Sequence, residues 1–134
     1  MNSSTDSFDV TLRSSSRIKR LTLTSNAEYA GTTTLENGAN NITLDSGAST
    51  FGGNLIITAS QNVSVKDNDL LGMTLGTSAL TGTLSITAKG NITDAGNVTA
   101  GGVGFNAATF VATNGGAVIL DTTTFTAAGG TLSI

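Results

Sequence analysis

Residues 53–65 read GNLIITASQNVSV, residues 82–94 GTLSITAKGNITD, residues 108–121 ATFVATNGGAVILD and residues 130–134 GTLSI. Each copy is a glycine or small-residue entry, an alternating apolar–polar run, a break, and in the longer copies a second alternating run. Repetition at this scale marks an architecture of stacked units, because no single unit can bury its apolar face and only its neighbours complete the core.

The spacing of the copies sets the expected winding. Taking the residue after each entry pair as an anchor aligns Leu55, Leu84, Phe110 and Leu132, at spacings of 29, 26 and 22. The second run anchors at Ile42, Val63, Ile92 and Val118, at spacings of 21, 29 and 26. The short spacings read as the bare unit. The long ones read as units with loop inserts at Leu70–Gly76 and Gly102–Asn106. A third short strand precedes each entry pair, at 49–51, 78–80, 98–100 and 125–127. Three short strands in roughly 22 residues describe one coil of a parallel β-helix, and the chain has room for five to six such coils. The expected inward positions are Leu55, Ile57, Val63, Val65, Leu84, Ile86, Ile92, Phe110, Val118, Leu120, Leu132 and Ile134, with Thr, Ser and Asn facing out.

Upstream, residues 1–20 read as a polar and basic extension and cap region, with residues 21–134 as the β-helix repeats. Phe8–Leu12 alternates and reads as a first strand. Leu21–Thr24, Thr32–Leu35 and Asn41–Asp45 follow, separated by turn clusters. Arg13, Arg17, Lys19 and Arg20 are four of the six basic residues. Cations on an end strand discourage foreign pairing, a simpler reading than an anionic-partner patch, since no aromatic residue is interleaved. Asn37-Gly38 is a hairpin signal and favours the rival fold, an antiparallel sandwich of some ten strands. Sandwich strands do not normally recur as matched triplets.

Composition agrees with an all-β chain. Charged residues are 11% of the 134, and Thr, Ser, Asn and Gly take their place. These types suit strands and tight turns and make poor helix interiors. There is no Cys, His, Trp or Pro. Disulfides and thiolate metal sites are thereby excluded, along with the commonest general base. A net charge of −3 argues against nucleic acid as a partner. No apolar run is long enough to span a membrane as a helix. Met1–Ser7 has no apolar stretch of signal-peptide type, so the chain reads either as a cytosolic protein or, the preferred reading, as a part of a longer exported protein.

The phrases at 53–65 and 82–102, with the link TLGTSALTG at 74–82, resemble the repetitive shaft of filamentous-haemagglutinin-like exoproteins, large bacterial adhesins exported by the two-partner route. The likeness covers Gly31–Ile134. It implies a right-handed parallel β-helix, an extracellular or cell-surface location, and a structural role in adhesion or biofilm toward a host or neighbouring-cell surface. The family's export domain carries motifs of the N-P-N-L type, and a chain without proline lacks them. No binding residue carries over, because shaft repeats have no fixed binding motif.

Candidate chemistry is sparse, and each signal has a plainer reading. Asp45, Asp67, Asp94 and Asp121 each follow a second-run phrase, but at unequal offsets, so they read as turn caps and not as a calcium ladder. Residues 101–106 resemble half of a calcium-binding nonapeptide, once and with Asn106 where Asp is needed. Asn62, Asn91 and Asn97 head N-glycosylation triplets; the plainer reading is Asn at a coil corner, bonding its own backbone. Asp67 and Asp69 could form the carboxylate pair of a polysaccharide-cleaving β-helix, yet one Tyr and no Trp leave little for a sugar to stack on. Threonine pairs at 22/24, 32/34, 122/124 and 124/126 suggest ice binding but do not recur once per coil on one face. The expectation is a non-enzymatic shaft with no catalytic, cofactor-binding or metal residue and no cofactor. Ice-binding and carbohydrate-active solenoids are the alternatives. Because 130–134 stops inside a strand phrase, a further expectation is head-to-tail self-association into a fibre.

Overall fold

Alternating β-branched and polar residues favour a pleated, half-buried surface. The chain follows that preference in the computed structural model, which describes residues 10–13, 20–22, 28–29, 31–45, 49–100, 107–122 and 131–134 and shows strands and turns with no helix among them.

Two parallel sheets, each six strands deep, form the body. The first contains β1 (Val10–Arg13), β4 (Thr33–Glu36), β7 (Asn54–Ala59), β9 (Met73–Leu75), β12 (Ile92–Asp94) and β15 (Val118–Ile119) in that order. The second runs through β2 (Arg20–Thr22), β5 (Asn41–Leu44), β8 (Val63–Asp67), β11 (Leu84–Ala88), β14 (Ala107–Ala112) and β16 (Thr131–Ser133). Two-stranded pieces, β3 (Glu28–Tyr29) with β6 (Thr50–Phe51) and β10 (Ser78–Leu80) with β13 (Val98–Ala100), make a third side. Among the described residues every pairing is parallel, and each strand pairs with its counterpart one winding away. The protein is therefore a parallel β-solenoid, and the antiparallel sandwich is ruled out. Six strands per sheet match the expected five to six coils. About three turns, from Thr33 through Leu55 and Leu75 to Asp94, are described almost without interruption.

The turn at Asn37-Gly38 shows why a hairpin signal misleads here. Gly38 adopts φ +56° and Asn40 N–H donates to Asn37 O at 3.1 Å, so the turn itself forms. It joins β4 to β5, which belong to different sheets, and so it is a corner.

The third side changes corner partway along the axis. In the early windings β3 and β6 lie on the path from the second sheet back to the first. Later, β10 and β13 lie on the path from the first sheet to the second. The long strand β7 spans the change: Asn54 and Leu55 pair with β9, while its later residues lie against β10. A ladder interrupted in this way would orphan a buried amide. Ser78 repairs the gap, its hydroxyl accepting from Ile57 N–H at 2.9 Å and donating to Gly76 O at 2.9 Å.

The core is a pile of apolar columns. In the second sheet Ile42, Val63, Leu84 and Ala108 share one column, and Leu44, Val65, Ile86 and Phe110 the next, all buried. Leu35, Leu55, Ile57, Met73, Leu75 and Ile92 line the first sheet, with Phe51, Leu80 and Val98 on the third side. Of the expected inward residues, Leu55, Ile57, Val63, Val65, Leu84, Ile86, Ile92 and Phe110 are buried. Val118 and Leu120 are partly buried. Ile134 is not inward: it lies beyond β16 and is 76% exposed. The side chain of Leu132 lies outside the described residues.

The register expected from the repeats needs correction. Leu84 stacks on Val63 in the second sheet, whereas Leu55 belongs to the first, and Phe110 stacks on Ile86. Strands of both main sheets need the same inside–outside alternation. Similar phrases therefore occur on different faces, and the distance between two of them need not be one coil. The true second-sheet steps are 21 residues from Ile42 to Val63 and again to Leu84. The expected insert at Leu70–Gly76 is also corrected. Leu70 and Leu71 are exposed loop, but Met73–Leu75 is a core strand with both apolar side chains buried. The expected insert at 102–106 and the strand at 125–127 fall outside the described residues.

Candidate functional site

The outward face of the second sheet is regular across the described windings. Between its two inward columns, Thr43, Ser64, Ser85 and Thr109 occupy one register position, each half-buried. Thr22 and Ser133 hold the same position in β2 and β16. One hydroxyl residue per winding at about 4.8 Å makes a continuous rank along the axis. A search for T-x-T pairs misses it, because serine and threonine interchange along the rank and it runs across windings. The T-x-T pairs themselves do not recur along this face; what recurs is one serine or threonine per winding. The rank is single. Lys66, Thr87 and Val111 flank it on one side and change character from one winding to the next.

On its other side runs a ladder of amides and hydroxyls at the corner where β5, β8 and β11 begin. Asn62 Nδ2 donates to Asn41 Oδ1 at 2.9 Å, and Asn62 N–H donates to the same oxygen at 3.2 Å. Asn62 Oδ1 in turn accepts from Thr83 N–H and Thr83 Oγ1, both at 2.9 Å. Asn91 does the equivalent at another corner, its Oδ1 accepting from Ala117 N–H at 2.9 Å. Asn62 and Asn91 sit at corners as expected, but they tie adjacent windings together instead of bonding their own backbone.

The four aspartates do not converge. Asp45 and Asp67 fall at the ends of second-sheet strands, Asp94 and Asp121 on the first-sheet side. Asp94 caps the winding above it, its carboxylate accepting from Asp121 N–H and Thr122 N–H at 3.1 Å. Asp69 Oδ1 accepts from Leu71 N–H at 3.0 Å, a local turn bond. Among the described residues no group of three or more acidic, His or Cys side chains could hold a metal.

Asp67 is perturbed by its burial. The period-two alternation of Val63, Val65 and Asp67 carries its carboxyl inward, 2% exposed, in the column position of Ala88. Oδ1 accepts from Phe51 N–H at 3.0 Å, while Oδ2 has no partner. Burial raises its pKa to about 6; the hydrogen bonds from backbone oppose this and the nearby Asp69 charge adds to it. This burial separates the environment of Asp67 from that of Asp69, which is part-exposed in the loop before β9. The Asp67 carboxyl controls stability. Below pH 3.8 Asp67 is protonated in both folded and unfolded chains. Between pH 3.8 and about 6 the unfolded chain releases its proton and the folded chain keeps it, so stability falls as pH rises through that window. The loss is on the order of 2–3 kcal/mol and is complete above pH 6. Urea titrations at pH 4 and pH 7 are expected to show it, and Asp67→Asn is expected to flatten that part of the profile. An unchanged profile in Asp67→Asn would assign the slope to other groups.

Fold and surface together define a repeat protein of the parallel β-solenoid class. The chain belongs to the family described as Repeats of unknown function (DUF5649), which matches twice, over residues 2–58 and 60–134. The boundary between the two matches falls in β7, where the third side changes corner, with β3–β6 in the first match and β10–β13 in the second. No curated protein and no solved structure matches the chain. No helix among the described residues is long and apolar enough to cross a membrane.

Proposed function

We propose that this chain is a structural shaft segment of a bacterial extracellular adhesin or exoprotein of the filamentous-haemagglutinin-like kind. It is non-enzymatic and carries length between a cell surface and a host or neighbouring cell. The supporting observation is the axial uniformity of the two main sheets. Each is six parallel strands deep and repeats one inside–outside pattern along the axis, so each added winding extends both by about 4.8 Å, even though the third side changes corner. The resemblance of the 53–65 and 82–102 phrases to adhesin shafts supplies the extracellular setting.

Antibodies raised against the folded chain test the reading on source cells. Intact, unpermeabilised cells are expected to label, and label that appears only after permeabilisation would overturn it.

A further inference from the structure

We propose that Asn114 is a modification site: its side-chain amide is lost through a cyclic imide formed with Gly115, while Asn37, which heads the same Asn-Gly dipeptide, is spared by the fold. The inference is independent of the shaft reading.

The reaction uses only the chain and water. The Gly115 amide nitrogen gives its proton to solvent base and attacks Asn114 Cγ. The bond from that nitrogen to Cγ forms, the Cγ–Nδ2 bond breaks, and ammonia leaves after taking a proton from water. Water then opens the imide. Opening at Cγ yields aspartate, and opening at the main-chain carbonyl yields isoaspartate, whose backbone runs through Cγ. Nothing is oxidised or reduced.

Sequence narrows the candidates first. Glycine leaves the attacking nitrogen unshielded because it has no Cβ. Asn-Gly occurs at 37–38 and at 114–115. Asn62, Asn91 and Asn97 precede Val63, Ile92 and Val98, whose branched Cβ crowds that nitrogen.

The structure then separates the two Asn-Gly pairs. Residues 113–116 close a turn in which Gly116 N–H donates to Thr113 O at 3.0 Å. Asn114 has φ +54° and Gly115 φ +79°, the left-handed pair for which Asn-Gly is suited. The base of the turn is pinned to the winding beneath. Thr113 N–H donates to Ala88 O at 2.8 Å, and Ala117 N–H to Asn91 Oδ1 at 2.9 Å. The tip is not pinned. Asn114 and Gly115 are exposed, and the space beside the Gly115 Cα is open within 4 Å. Among the described residues no hydrogen bond holds the Asn114 carboxamide or the Gly115 N–H. The carboxamide is free to swing over its own peptide.

Asn37 is 1% exposed. Its Nδ2 donates to Asn41 O at 2.7 Å, and its carbonyl accepts from Asn40 N–H at 3.1 Å. Turning that carboxamide toward Gly38 breaks a buried hydrogen bond, so Asn37 reacts only when the corner opens locally. Conversion at Asn114 needs no such opening. It places a new carboxylate on an exposed corner of a chain whose net charge is −3, and the isoaspartyl form also lengthens the turn.

Incubation of the full chain at mildly alkaline pH, folded and in urea, tests the proposal. Tryptic peptides 21–66 and 90–134 carry the two sites separately, and tandem mass spectrometry locates the exchange of amide for carboxyl. In the folded chain Asn114 is expected to convert at least about tenfold faster than Asn37. In urea the two rates are expected to converge. Asn114→Asp is expected to co-elute on ion exchange with the aspartate form of the aged chain. Equal rates in the folded chain, faster conversion at Asn37, or conversion at Asn114 confined to the unfolded chain would overturn the proposal.

Discussion

Alanine in place of Gly72 is expected to destabilise the fold by about 3–5 kcal/mol, a large part of the stability of a domain this size. Gly72 adopts φ +90°, which strains any residue with a Cβ. The added carbon would also run into the backbone of Asn91 in the next winding. This crowding belongs to one corner. The first-sheet strands β4, β7, β9, β12 and β15 are each entered through a glycine, at 31, 53, 72, 90 and 116. A Cβ on Gly53 would meet Gly31, one on Gly90 would meet Leu70 and Gly72, and one on Gly116 would meet Gly90. Windings there touch backbone to backbone. Gly115→Ala is the matched control: φ is +79°, but the space around a Cβ is open within 4 Å. Its expected cost is backbone strain alone, about 1–2 kcal/mol. Urea midpoints at constant m measure both, and equal losses at the two positions would mean that corner stacking contributes nothing.

The next largest effect is expected at Phe110, whose replacement by alanine should cost about 3–5 kcal/mol. Phe110 is fully buried and closes the column of Leu44, Val65 and Ile86. The backbone there is held in a parallel ladder on both sides, by β11 and β16, so the windings cannot collapse into the void. Leu71→Ala is the contrast. Leu71 is 87% exposed on the loop before β9 and should change stability by less than about 0.5 kcal/mol. Ile86→Ala combined with Phe110→Ala should depart from additivity, since the two side chains share one cavity wall. Thermal or urea unfolding of the four variants provides the check, and a small loss at Phe110 would mean that the column is loosely packed.

Much of the core was legible because alternation is a local property. Val63, Val65, Leu84 and Ile86 can be assigned inward from their own strands without knowing what lies beneath them. The same locality explains the errors. Leu55 and Leu84 sit in near-identical phrases yet on different sheets, because the corner that sends a strand to one face or another leaves little trace in the strand. Met73 and Leu75 were masked by exposed Leu70 and Leu71 beside them, which turned a three-residue core strand into an apparent insert. Asp67 follows its strand's alternation inward, against its chemistry, and only the packed winding shows that its carboxyl is buried against Phe51 N–H.

By itself the sequence determined that this protein is all-β and repetitive, because composition, turn residues and periodicity act within a few residues of one another, and it favoured parallel coils over a sandwich that only the strand pairings ruled out. Tertiary structure alone decided which phrase stacks on which, where the third side changes corner, and that serine and threonine from separate windings line up in a single rank. Those outcomes depend on contacts between residues about 20 positions apart, whose register is set by how the intervening corners turn.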